Sequence, residues 1–213
     1  MTLKELFTLS ALAVLAPGCA STPASHFYTL SAMAAPGTVP SNVSILVVCS
    51  SVPGDVDRPQ WVLSTGANEV RIDDFNRWAS SLQDAIARVT AENLAALLAT
   101  PRVSAFPQIL VTETDYRVTI EVQRFESRLG DSITFDAVWM LRRTKEGNAE
   151  LRRTAVREPA LGNSYGELAA AHSRALLRLS TDIAKEISAS TRASVGSSNN
   201  WSAGLPATSA HLF

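Results

Sequence analysis

Histidine is scarce in this chain, three in 213 residues, and cysteine scarcer still, with two. His26, His172 and His211 are far apart, and no pair of them, or of cysteines, has the short spacing by which metal sites gather their ligands. The same shortage counts against nucleophilic catalysis, which needs a base beside the attacking serine or cysteine. No G-x-S-x-G occurs, and Gly37, Gly54 and Gly66 stand alone rather than in a phosphate-binding loop. An excess of positive charge is also missing. The formal net charge is −1, so the electrostatic footprint of a nucleic-acid binder is absent. No apolar run reaches the roughly 20 residues that a membrane-spanning helix requires. These absences predict a protein that is not an enzyme, needs no cofactor or metal, and does not bind nucleic acid.

What is present is a chain in four parts. Residues 1–18 read as an export signal, with Lys4 near the start and an apolar run from Leu6 to Leu15, followed by Ala16-Pro17-Gly18-Cys19. A cysteine directly after a small residue at this point is a lipobox, which makes Cys19 the predicted lipidation site. Ala16 stands where such boxes usually carry leucine, with Leu15 one place back. In an oxidising compartment two cysteines could instead form a disulfide, but a lipid on the Cys19 sulfur excludes it and leaves Cys49 as a thiol in an apolar run. Residues 19–26, rich in Ala, Ser, Thr and Pro, read as a tether. Residues 27–191 form the predicted domain, and 192–213, without periodicity, a disordered tail.

Within the domain the expectation is a single α/β (α+β) fold, a mixed and largely antiparallel sheet with two long amphipathic helices packed on it. Phe27 to Leu30 is a short strand candidate, and Asn42 to Ser50 a β-branched strand covered on both faces. Gln60–Ser64 and Glu69–Ile72 are joined by Thr65-Gly66-Ala67-Asn68 as a hairpin. Asp73 or Asp74 is then expected to cap a helix whose apolar stripe runs from Trp78 through Leu82, Ile86, Val89 and Asn93 to Leu97. Tyr116 to Gln123 and Ile133 to Leu141 alternate apolar with polar residues and pair across Gly130-Asp131. Glu150 to Val156 adds a third strand. A last helix covers Tyr165 to Ser188 with His172 on its apolar stripe, where it is expected to bond a neighbour at the core edge. The acidic pairs Asp55/Asp57, Asp73/Asp74 and Glu113/Asp115 fall at element ends, where acids cap helices or solvate turns. Trp78 and Trp139 have core spacing, whereas Trp61, beside Arg58 and Pro59, is a candidate for an exposed binding surface.

The order of several short segments resembles the ABC-type transport auxiliary lipoproteins, the family of the PqiC-like proteins. They are the lipobox, Phe27-Tyr28-Thr29-Leu30, Asp57-Arg58-Pro59-Gln60, Thr65-Gly66-Ala67-Asn68-Glu69 and Phe75-Asn76-Arg77-Trp78-Ala79. Ala91-Glu92-Asn93-Leu94, Arg124-Phe125-Glu126, Ser173-Arg174-Ala175-Leu176, Leu179-Ser180 and Ile183-Ala184 continue the series. His172 departs from it where glutamine is the family's habit, and Cys49 falls near a position often held by glycine. The resemblance implies an outer-membrane lipoprotein on the periplasmic face. It would dock an MCE-domain protein and inner-membrane ABC transporter subunits in lipid transport that maintains envelope integrity, as a homo-oligomer. Ala20 after the cysteine is consistent with outer-membrane sorting. Arg58, Trp61 and Arg77, in the resembling segments around the hairpin, are the partner-binding candidates. The competing expectation is a solitary envelope lipoprotein that binds a lipid or other hydrophobic ligand itself, which requires an apolar cavity.

Overall fold

A computed structural model describes residues 23–107 and 113–201, with side chains described to residue 192. Ten elements follow in order: β1 (His26–Tyr28), β2 (Ile45–Ser51), β3 (Gln60–Ser64), β4 (Val70–Trp78), α1 (Leu82–Leu97), β5 (Val103–Ala105), β6 (Tyr116–Arg128), β7 (Ser132–Arg143), β8 (Ala149–Pro159) and α2 (Tyr165–Trp201). The fold is α+β as expected. Its strands divide between two sheets rather than one, in the orders β1-β4-β3 and β5-β2-β6-β7-β8.

In the larger sheet β2 is flanked by parallel partners on both sides, β5 and β6. That position suits its run of Ile45, Leu46 and Val47, all buried. From β6 the chain turns back twice, and β6-β7-β8 form an antiparallel meander. Alternation directs Tyr116, Val118, Ile120 and Val122 of β6 and Ile133, Phe135, Ala137, Trp139 and Leu141 of β7 into the core. A bulge between Val122 and Arg124 inserts one residue and resets the phase, so Phe125 and Ser127 take over the inward positions. The amphipathic stripes of α1 and α2 pack against this sheet and each other, through Ile86, Val89 and Leu94 on one helix and Leu168, Leu176, Leu179, Ile183 and Ile187 on the other.

The segment between the two sheets departs most from the sequence reading. β4 does not stop at Ile72 but runs to Trp78, so Asp73 and Asp74 lie in a strand and cap no helix. The N-cap of α1 is Ser81, whose Oγ accepts from Asp84 N–H at 3.2 Å. The smaller sheet also recruits β1 in parallel with the end of β4, pairing Phe27 with Arg77 and Tyr28 with Trp78. This added partner holds residues 75–78 extended, despite a spacing from Trp78 that continues the helical stripe. Helix α2 continues beyond Thr191, where a tail was expected, to Trp201. Residues 202–213 lie outside the described residues, as do 1–22 with the signal and Cys19. Among the described residues no helix is long and apolar enough to cross a membrane.

Candidate docking surfaces

The inner face of the small sheet meets α2 through an aromatic cluster. Trp61 stacks on Trp78 with ring centroids 4.0 Å apart, and the edges of Tyr28 and Tyr165 meet Trp61 at 5.3 Å. Trp61 is only 1% exposed. It therefore belongs to the core and offers nothing to a partner in this conformation, contrary to its expected exposure. Strand β3 is short, and its three central residues, Trp61, Val62 and Leu63, are all buried, with Trp61 turned toward the aromatic cluster. The phenol of Tyr165 donates to Asp73 Oδ2 at 2.6 Å, and that of Tyr28 donates to Asn76 Oδ1 at 2.8 Å. Burial pushes the Asp73 carboxyl up, but hydrogen bonds from Tyr165, Phe75 N–H and Asn76 N–H outweigh it and leave its pKa below the usual value. Tyr165 is driven up to about 12, first by burial and then by its bond to Asp73. Asp73 is thus an acceptor for the cluster, holding β4 to α2 through Oδ2 and shaping the irregular part of β4 through Oδ1.

His172 lies at the centre of the core rather than its edge. It stacks flat on Phe125 at 3.8 Å, and its Nε2 is 2.8 Å from Ser127 Oγ. Burial lowers its pKa to about 3, which keeps the ring neutral. Trp139 donates through Nε1 to Thr154 Oγ1 at 3.1 Å, and that hydroxyl donates to Asp182 Oδ2 at 3.0 Å. Asn93, the polar residue on the apolar stripe of α1, accepts from the N–H groups of Met33 and Ala34 at 2.9 and 3.0 Å. It straps the segment after β1 onto the helix. Cys49 is half-buried on β2, and burial pushes its thiol up to about 12, which disfavours the reactive thiolate.

The outward faces of the two sheets differ in kind. On the large sheet a groove of about 700 Å³ is lined by Arg124, Arg128, Asp136, Arg153 and Arg157 among others. Three of these arginines are held by carboxylates: Arg124 by Glu126, Arg157 by Asp131, and Arg153 by both oxygens of Asp136. Asp136 is only 5% exposed, and the fork of Arg153 holds its carboxyl below the usual range. A second groove, about 770 Å³, lies between the 37–43 loop and the C-terminal parts of both helices, lined by Val39, Pro40, Val43, Leu97 and Ile187 among others.

On the small sheet the pairing of Val62 with Ile72 and of Ser64 with Val70 places Ile72 and Val70 on the side opposite Trp61 and Leu63, and on that side Val62 of β3 is itself buried, so the open part lies over β1 and β4. Phe27 and Arg77 share that side, since Tyr28 and Trp78 point into the core. The outcome is an apolar face in solvent, with Phe27 64%, Val70 51% and Ile72 45% exposed, and Phe75 at 39% in the bulge of β4. Arg58 is exposed just before β3, and Arg77 is half-buried with its Nε donating to the Asp74 carbonyl at 2.7 Å. The two arginines therefore border this face, while Trp61 lies beneath it. Sequence reasoning singled out the arginines and missed Phe27, Val70 and Ile72. The Val70-x-Ile72 alternation signalled a face, though not one left uncovered.

Solved structures share the architecture at low sequence identity. One uncharacterised protein superposes with a TM-score of 0.64 at 20% identity, covering 78% of this chain and 99% of its own. A Xanthomonas campestris protein of family DUF330 superposes with a TM-score of 0.62 at 19% identity, covering 75% and 93%. Comparison with curated proteins finds no match. At the level of family, residues 28–184 match the model described as the ABC-type transport auxiliary lipoprotein component, which spans every element from the end of β1 to the buried part of α2. The chain belongs to that family of ABC-type transport auxiliary lipoproteins.

Proposed function

We propose that this protein is an outer-membrane lipoprotein facing the periplasm, anchored through Cys19, that docks an MCE-domain protein and the inner-membrane subunits of a lipid-transport system. Assembly as a homo-oligomer belongs to the same reading. The observation that carries it is the family match over 28–184, because an auxiliary lipoprotein needs an anchor and a folded domain that presents a surface. The chain has two cysteines, and Cys49 is built into the middle of β2, flanked by β5 and β6. Cys19, at the end of an apolar export segment, is the cysteine free to carry acyl chains. Several acyl chains on one residue hold a domain to a bilayer far better than one. Arg58 and Arg77 are proposed to contribute to partner capture at the border of the small sheet.

The test is affinity purification of the tagged protein from crosslinked envelopes, read by mass spectrometry. The expected result is recovery of an MCE-domain protein with transporter subunits, reduced in Cys19→Ala and in Arg58→Glu/Arg77→Glu. Recovery of no transporter component with an acylated, folded protein would overturn the docking role. A second reading, direct binding of a lipid, is favoured by the partly apolar groove beside Val39, Pro40 and Ile187. It predicts co-purifying lipid that Val39→Asp removes.

A further inference from the structure

The exposed apolar side of the small sheet and the start of the folded chain lie together, and their placement follows from strand direction. β1 runs parallel to β4 with His26 beside Asn76. Traced backward from His26, the chain therefore starts out in the direction that leads along β4 toward Ile72 and Val70. Cys19 is seven residues before His26. At 3.3–3.6 Å per residue, those seven residues span at most about 25 Å in any conformation. An acyl group on Cys19 thus holds His26, at the start of the small sheet's edge strand β1, within that distance of the headgroups.

We propose that the outward face of the β1-β4-β3 sheet, formed by Phe27, Val70 and Ile72 with Phe75 beside them, lies on the surface of the bilayer that holds the anchor. The proposal rests on the lipid-anchor reading above. Burying these side chains at the lipid interface gains free energy in proportion to apolar area, and anchoring removes most of the entropic cost of bringing them there. The surrounding charges carry no positive excess, with Arg58, Arg71 and Arg77 set against Asp55, Asp57, Glu69, Asp73 and Asp74. The contact is therefore apolar, and neither salt nor anionic lipid is needed for it. Seating this face on lipid also directs the large sheet and the two helices away from the membrane, toward any partner in the aqueous space.

The experiment uses the full acylated chain in phosphatidylcholine vesicles, in a Cys49→Ala background, with an environment-sensitive fluorophore on Ile72→Cys, Phe27→Cys or Leu151→Cys. Leu151 is a solvent-exposed position on β8 of the other sheet. The expected result is a blue-shifted emission at positions 72 and 27, quenched several-fold more by nitroxide-bearing lipid than at 151, and unchanged by high salt. Intact mass and vesicle flotation report the anchor separately, and failure there sinks the anchor reading together with this one. Acylated protein that floats while position 72 stays as aqueous as 151 overturns the proposal alone. A blue shift at 72 that lipid-borne nitroxide does not quench also overturns it, assigning the face to a second copy or a partner.

Discussion

The two sheets bury their inner faces in one continuous core and differ in what they show outside. The large sheet turns ion pairs outward, such as Arg124 with Glu126 and Arg153 with Asp136. The small sheet turns out Phe27, Val70 and Ile72. Water solvates the first arrangement well and gains nothing from the second. A large open sheet with charged cross-strand pairs is protected against aggregation, whereas a small apolar face persists where something else covers it. On the reading proposed above, one sheet supplies the stable platform, and the other the contact next to the anchor.

Because Trp61 is the pivot between the small sheet and α2, Trp61→Ala is the change expected to disturb that sheet most. Removing a fully buried aromatic ring costs about 3–5 kcal/mol. The expected outcome in urea unfolding is a large fall in midpoint. Proteolysis should cut the β3-β4 hairpin first if the small sheet loosens before the large one. A loss of unfolding free energy under about 1 kcal/mol would mean that the aromatic cluster contributes little to joining the sheets.

The core beneath both sheets is sharpened by acid. His172 has a folded pKa of about 3, far below the roughly 6.5 of an unfolded histidine. The unfolded state binds the proton more readily, so stability falls as pH drops from about 6.5 toward 3, with a limiting slope of about 1.4 kcal/mol per pH unit. The neutral ring is favoured throughout the range above. Chemical-denaturation midpoints measured from pH 7 to 4 should show this loss, and His172→Gln should flatten it while keeping a polar group near Ser127. Asp73 and Asp136, whose folded pKa values are lowered, lose their contribution only at the acid end, as pH falls below the ordinary carboxylate range. A pH profile unchanged by His172→Gln would show that His172 does not carry the acid loss of stability.

Much of this organisation is legible in sequence where the period is long and regular. Helix α2 and the three-strand meander carry clean periods of 3.6 and 2, and they start within a residue of where expected, although β6 continues to Arg128, β8 to Pro159 and α2 to Trp201, beyond the expected ends. The division into two sheets is not legible, because it depends on β1 finding the end of β4, a pairing 50 residues apart between Tyr28 and Trp78. β5, three residues long, is too short to show a period. Trp78 fits a helical stripe and an inward strand position equally well, and only its long-range partner decides. The proposed export segment with Cys19 rests on local sequence alone, since such a signal depends on order along the chain and not on folding. The exposed face was hidden for a different reason: alternation marks Val70 and Ile72 as sharing a side but cannot say what covers it.

The smallest expected effects separate two arginines that look alike in sequence on the charged sheet. Arg124 and Arg153 both sit on its outer face, each forked onto a carboxylate. Glu126 is partly solvated, with its side chain 36% exposed, so water replaces the guanidinium when Arg124→Ala removes it. An exposed pair of this kind is worth about 0–1 kcal/mol. Asp136 is 5% exposed, and Arg153→Ala leaves its carboxylate with little access to water and no fork to neutralise it. An orphaned buried acceptor costs about 1–3 kcal/mol, more when charged. Urea midpoints of the two single variants should therefore differ, with Arg153→Ala the more destabilised. The double variant Arg153→Leu/Asp136→Val should recover most of the loss, because it removes both the charge and its need for a partner. Equal effects of Arg124→Ala and Arg153→Ala would show that water reaches Asp136, making the charged face uniform.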